Sequence, residues 1–174
     1  KEPLAGRVKT RLCPPLSGEE AAAFYRVALA ETVGRLAGGP FEVRLFYSGA
    51  ESFFRENFPG VALTPQGEGD LGARMERALQ GLLGAGCAAA VLVGSDSPDL
   101  PVALVEEAFA ALAAAEVVTA PAPDGGYVLI GERTHCPQLF SAMPWSSAAV
   151  LEETRRRARA AGLDYHELAC WEEV

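Results

Sequence analysis

An apolar run, Ala89-Ala90-Val91-Leu92-Val93, ends in Gly94-Ser95-Asp96-Ser97-Pro98-Asp99-Leu100-Pro101, placing two carboxylates between a strand pattern and the start of a helix. In open α/β sheets ligands bind beyond the carboxyl ends of the strands, where a hard oxygen ligand suits a divalent cation carrying phosphates. Asp96 is therefore the leading candidate for metal binding and catalysis. Asp99 either joins it as a ligand or caps the following helix. A second candidate is Arg7-Val8-Lys9-Thr10-Arg11, which follows the turn-prone Pro3-Leu4-Ala5-Gly6 and puts three cations and a hydroxyl into five residues. Phosphate recognition uses this mixture: arginine offers a bidentate fork, lysine a mobile point charge, and glycine lets backbone N–H groups approach an anion. No glycine precedes Lys9, so the Walker A frame fails. A solvated basic segment is the other reading.

Gln66-Gly67-Glu68-Gly69-Asp70-Leu71-Gly72 contains G-x-G-x-x-G between a strand and a helix, formally a dinucleotide-binding fingerprint. Pro65 interrupts its entry and two acids inside it repel a pyrophosphate, so a glycine-rich turn with Asp70 as helix N-cap stands beside that reading. Asp124-Gly125-Gly126-Tyr127 reads as a tight turn, or as an acid at a sheet edge holding a metal or an acceptor hydroxyl. His135 and His166 lie near no candidate nucleophile and read as structural or surface residues. Trp145 packs or stacks on a ligand, and one of Ser146 and Ser147 caps a helix. No serine or cysteine has the setting of an activated nucleophile.

The elements that must position these residues alternate. A capping box, Ser17-Gly18-Glu19-Glu20, opens a helix with Tyr25, Leu29, Val33 and Leu36 on one stripe, stopped by Gly38-Gly39-Pro40. A strand over 42–47 follows, then a second capping box, Ser48-Gly49-Ala50-Glu51, a short helix and a strand over 61–64. Leu71, Met75, Ala78, Leu79, Leu82 and Leu83 define the clearest helix. After the strand ending at Val93 come a helix carrying Leu104, Val105, Ala108, Phe109 and Leu112, strands over 116–120 and 127–130, and a helix over 147–161. That last helix bears Arg155, Arg156, Arg157 and Arg159, read as a solvated basic face or helix end. Strand–helix alternation with unbroken apolar strands predicts an α/β fold, a three-layer sandwich with a mostly parallel sheet.

The 174 residues are 49% hydrophobic and 22% charged, enough for one domain spanning 1–174 with a real core. A net charge of -8 argues against a nucleic-acid partner held by phosphate neutralisation. Cys13, Cys87, Cys136 and Cys170 form no C-x-x-C pair, which argues against a zinc site or dithiol centre and for a reducing, cytoplasmic home. No run spans a bilayer, so no membrane association is expected.

Taken in order, residues 3–12, 66–75, 94–101, 124–127 and 145–147 resemble a family of bacterial glycosyltransferase-A-like proteins of the nucleotide-diphospho-sugar transferase superfamily, some of which accompany radical-SAM proteins of arsenosugar formation. The family is similar in fold to the guanylyltransferases acting on 2-phospholactate. The resemblance implies that Gly6, Arg7, Lys9, Thr10 and Arg11 hold phosphates, that Gln66, Gly67 and Gly72 line the base and ribose, and that Asp96, with Asp99, binds Mg²⁺ or Mn²⁺. Asp124, Gly125 and Gly126 would face the acceptor. It further implies an apolar strand before Lys1 and an acidic segment after Val174. The expected function is metal-dependent transfer from a nucleotide-diphospho-sugar to an unknown acceptor. Nucleotidyl transfer with release of pyrophosphate is the alternative, and an NAD-dependent oxidoreductase or a non-catalytic nucleotide sensor are lesser ones.

Overall fold

A computed structural model of the chain describes residues 1–95 and 97–171. Contacts group them into two compact units, Lys1–Gly67 with Ser95–Asp99, and Glu68–Gly94 with Leu100–Val174.

In the first unit, α1 (Gly18–Ala37) starts at the expected capping box. Ser17 Oγ accepts from the Glu20 amide at 3.2 Å and the Glu20 carboxylate accepts from the Ser17 amide at 2.8 Å. Its stripe of Tyr25, Leu29, Val33 and Leu36 is buried. The strands β1 (Arg44–Tyr47) and β2 (Ala62–Pro65) pair in parallel and are joined through α2 (Glu51–Asn57). Tyr25, Leu29 and Val33 meet Val8, Tyr47, Phe54 and Phe58 in one core, where the Phe54 ring stacks edge-on against Phe53.

The second capping box does not form. The N-cap of α2 is Ala50, and the partner of its amide is the carboxylate of Glu2 at 2.8 Å. The Glu2 amide in turn donates to the Ser48 carbonyl at 2.7 Å. A Cβ on Gly49 would lie 2.4 Å from Glu2 Cβ, so glycine is required for this approach. Glu51, freed from capping, accepts from the Tyr47 hydroxyl at 3.0 Å and pairs with Arg55. A distant carboxylate has replaced the local one.

The second unit contains α3 (Leu71–Gly84), β3 (Ala90–Val93), α4 (Val102–Ala111), β4 (Val117–Pro121), β5 (Tyr127–Glu132), α5 (Val150–Ala160) and β6 (Tyr165–Glu167). Its sheet has the order β3-β5-β4-β6. Three strands run one way, and β5 runs against both neighbours while β4 and β6 are parallel. The reversal follows from the short 122–126 connection, which makes a hairpin but is too short for the crossover that parallel pairing needs. All five positions of β4 are buried, as befits a sheet covered on both faces. Leu79, Val117, Ile130, Leu139, Phe140 and Ala158 form the core.

The helix expected from Ser147 begins at Val150, because Ser147 Oγ donates to the Pro144 carbonyl at 2.7 Å and accepts from the Ala149 amide at 3.3 Å, holding a turn instead. The arginines of α5 are not a bare solvated face. Arg155 forks onto Glu167 of β6 at 2.6 and 2.7 Å, and Arg157 reaches the carbonyls of Gln138 and Ala142 at 3.1 and 3.0 Å. Arg156 and Arg157 both bind Glu153, holding its carboxyl down at about 2. No helix among the described residues is long and apolar enough to cross a membrane.

Leu79 is completely buried in the second unit's core. Leu79→Ala is expected to cost about 2–5 kcal/mol in chemical denaturation, the range for removing a buried leucine side chain.

Candidate functional site

The basic loop is built by two tight turns anchored through one apolar side chain. The Arg7 amide donates to the Leu4 carbonyl at 3.0 Å across Gly6, whose φ of 72° suits glycine. Val8 then buries its side chain in the first unit's core. Lys9 follows with φ 46° and ψ 36°, a left-handed backbone that opens the 3-10 turn Thr10–Leu12. That conformation costs a non-glycine residue about 1–2 kcal/mol, so packing on both sides must hold it. Gly18, at the start of α1, supplies part of that support: a Cβ there would lie 3.0 Å from the Gly6 nitrogen. The result leaves Arg7, Thr10 and Arg11 exposed beside a half-buried Lys9, on a loop fixed to α1.

The acidic loop is fixed to the same helix. Tyr25 Oη and Ser95 Oγ share a hydrogen bond of 2.8 Å, and Arg35 Nε donates to the Pro98 carbonyl at 2.8 Å. Ser97 is buried. Asp99 is not the cap of α4: the N-cap is Pro101, without a side-chain cap. Asp99 Oδ1 is instead buried with no hydrogen-bond partner among the described residues, a costly state for a carboxylate oxygen unless something else meets it. Asp96 lies outside the described residues.

These observations bear on the divalent cation that the fold family implies. Among the described residues no three His, Cys, Asp or Glu side chains converge on a metal position. Mg²⁺ is commonly held by one or two carboxylates, waters and substrate phosphates rather than by a protein cage. An orphaned hard oxygen on Asp99, with the hydroxyls of Ser95 and Ser97 in the same loop, fits that mode of binding.

Gln66 extends the pairing of β1 and β2: its amide donates to the Tyr47 carbonyl at 2.8 Å and its side-chain nitrogen to the Phe46 carbonyl at 3.2 Å. It stands with Gly67 at the carboxyl ends of two parallel strands, the edge where α/β folds take their ligands.

In the second unit, Asp70 caps α3 by accepting from the Ala73 amide at 2.9 Å. Arg74 and Arg77 hold the preceding loop through the carbonyls of Gly69 and Glu68, at 2.9 and 2.8 Å. A carboxylate thus takes the helix end that a pyrophosphate would use, which removes the basis of the dinucleotide reading. Gly72 is buried, and a Cβ there would lie 2.5 Å from Trp145 Nε1 and 2.6 Å from the Phe140 carbonyl oxygen. The structure thus gives Gly72 and Trp145 to packing: the first turn of α3 sits against the indole.

The 122–126 turn is similarly built. Asp124 Oδ1 accepts from the Gly126 amide at 2.9 Å, Gly125 O accepts from the Leu151 amide at 2.9 Å, and a Cβ on Gly125 would come within 2.3 Å of the Ala148 carbonyl oxygen. Gly125 and Gly126 shape the turn, and Asp124 is exposed at its tip.

One polar pair had no signal in the sequence. Glu132, at the end of β5, is fully buried. His135 Nδ1 lies 3.1 Å from its Oε2, Oε1 has no partner, and Glu76 of α3 lies 4.0 Å from His135 Nε2. Burial pushes the Glu132 carboxyl up from its ordinary value, opposed by the hydrogen bond from His135.

Residues 29–147 match the family described as "Uncharacterized protein conserved in bacteria (DUF2064)". The chain belongs to this family. It superposes on a crystal structure from Desulfovibrio desulfuricans G20, described as a "putative nucleotide-diphospho-sugar transferase", with a TM-score of 0.91 and 33% sequence identity. That match covers 99% of this chain and 78% of the other. No curated protein matches the sequence significantly. This DUF2064 member therefore has the α/β glycosyltransferase-A-like fold expected of it.

Two outcomes follow from these packed groups. Gly72→Ala is expected to destabilise the protein by about 1–3 kcal/mol in denaturant titrations, since the added methyl meets an indole and a backbone carbonyl. Glu132→Gln is expected to gain stability relative to wild type as pH rises. The raised carboxyl binds its proton in the folded state, so its contribution is full below the ordinary carboxylate range and lost as pH climbs to the folded value. Denaturation midpoints of both proteins between about pH 4 and pH 8 measure the divergence, and parallel curves would contradict it.

Proposed function

We propose that this protein is a transferase acting on a nucleotide-diphospho-sugar, with the 95–99 loop holding Mg²⁺ or Mn²⁺ and the 6–11 loop holding donor phosphates. The observation that carries the proposal is the near-complete match to the Desulfovibrio protein, at 33% identity over 99% of the chain. The attachment of both loops to α1 supports it.

In this reading Lys9 and Arg11, with Arg7 and Thr10, bind the diphosphate, and Gln66 and Gly67 border the nucleoside. Asp96 and Asp99 would hold the cation, whose chemistry is to neutralise charge on the departing diphosphate. The chain's own cations assist by stabilising the same charge, an electrostatic contribution that needs no covalent intermediate. Asp124, exposed at its turn, is assigned to the acceptor side.

A unit charge about 4 Å from a phosphate contributes roughly 4 kcal/mol at the effective dielectric of a protein surface. A metal ligand should therefore matter more than one loop cation. Asp96→Ala is expected to abolish turnover and Lys9→Ala mainly to raise the donor KM; equal, mild defects in both would reject this division of roles. A thermal-shift panel of nucleotide sugars, nucleoside triphosphates and NAD, with and without Mg²⁺ or Mn²⁺, tests the substrate class. Stabilisation by a nucleotide sugar only with metal is expected, about 2.7 kcal/mol at a hundredfold excess over Kd. Stabilisation by NAD without metal would defeat the proposal.

A further inference from the structure

Tyr25 occupies an unusual place for a core tyrosine. Its ring belongs to the same buried cluster as Val8, the anchor of the basic loop. Its hydroxyl sits 2.8 Å from Ser95 Oγ and 3.0 Å from the Lys1 nitrogen that donates to it. Ten residues along α1, Arg35 Nε holds the carbonyl of Pro98. Ser95 and Pro98 are thus both held by one helix, and Asp99 with its orphaned oxygen follows directly. A phenylalanine would serve the core equally well. The hydroxyl is therefore accounted for by the loop it holds, because burying it uncompensated would only destabilise.

We infer that Tyr25 is a positioning residue for the carboxylate loop, setting through Ser95 the geometry in which Asp99 meets a divalent cation, with Arg35 as the second fixed point. The inference rests on the metal-bearing role proposed above for residues 95–99. Tyr25 acts on the cation site through Ser95. Its loss leaves the ligand set intact and loosens its preorganisation, so the effect falls on metal affinity rather than on the number of carboxylates.

The test uses the whole chain as Tyr25→Phe and, independently, as Ser95→Ala, which breaks the same hydrogen bond from the loop side. Two readouts are taken on each: amide hydrogen exchange across residues 94–100 without metal, and Mn²⁺ affinity from the free-ion signal in paramagnetic resonance. The expected result is faster exchange confined to that segment and Mn²⁺ binding weakened about three- to tenfold, the scale of one hydrogen bond. In the double variant the losses should be less than additive, since both substitutions remove the Tyr25–Ser95 hydrogen bond. Turnover at saturating Mn²⁺ should return toward wild type in Tyr25→Phe.

Unchanged exchange in both variants would overturn the inference, as would faster exchange with unaltered Mn²⁺ affinity. A wild-type protein that takes up no Mn²⁺, even with a nucleotide sugar present, sinks the metal role and this inference with it. Weakened binding in the variants beside a wild type that binds Mn²⁺ but transfers no sugar would uphold Tyr25 and reject the substrate assignment.

Discussion

Burial of the α1 stripe is the constraint on which the first unit depends. Tyr25, Leu29 and Val33 cannot be covered by α1 itself; they are buried in one cluster with Val8, Tyr47, Phe54 and Phe58. Each of these apolar contacts brings a polar segment with it. Val8 carries Arg7 and Lys9 to the rim of the core, and the Tyr25 hydroxyl carries Ser95. The hydrophobic effect, which is not directional, supplies the attraction, and short hydrogen bonds with fixed geometry convert it into placement of charge.

The electrostatic character follows from that arrangement. A protein of net charge -8 repels a diphosphate at long range, so the donor binding proposed above would rest on cations concentrated locally and on a loop whose shape does not have to be found on binding. The left-handed backbone at Lys9 is one sign of such preorganisation, since nothing local favours it. The buried oxygen of Asp99 is another: a fold maximising stability alone would have given it a partner.

Elsewhere the same residue types serve the scaffold. The glycines at 72 and 125 admit an indole and a carbonyl to close contact, Asp70 caps a helix, and the α5 arginines tie down a strand and a loop. A motif with the letters of a phosphate loop is here a packing device. What separates the two uses is whether the backbone amides at the helix start are free, and at α3 a carboxylate already holds one of them.

Local sequence determined the elements whose signals are local. The Ser17 capping box, the periodic stripes of α1 and α3, the strand ending at Val93 and the Asp70 cap need only neighbours within a turn or two. The family resemblance rested likewise on short segments read in order. Tertiary structure decided what depends on residues distant in the chain. It gave the cap of α2 to Glu2 rather than Ser48, left Asp99 uncapping, and joined Tyr25 to Ser95 across 70 positions. Competition explains the division: a polar group takes whichever partner the packed core delivers, and the core is assembled by burial that no local pattern encodes.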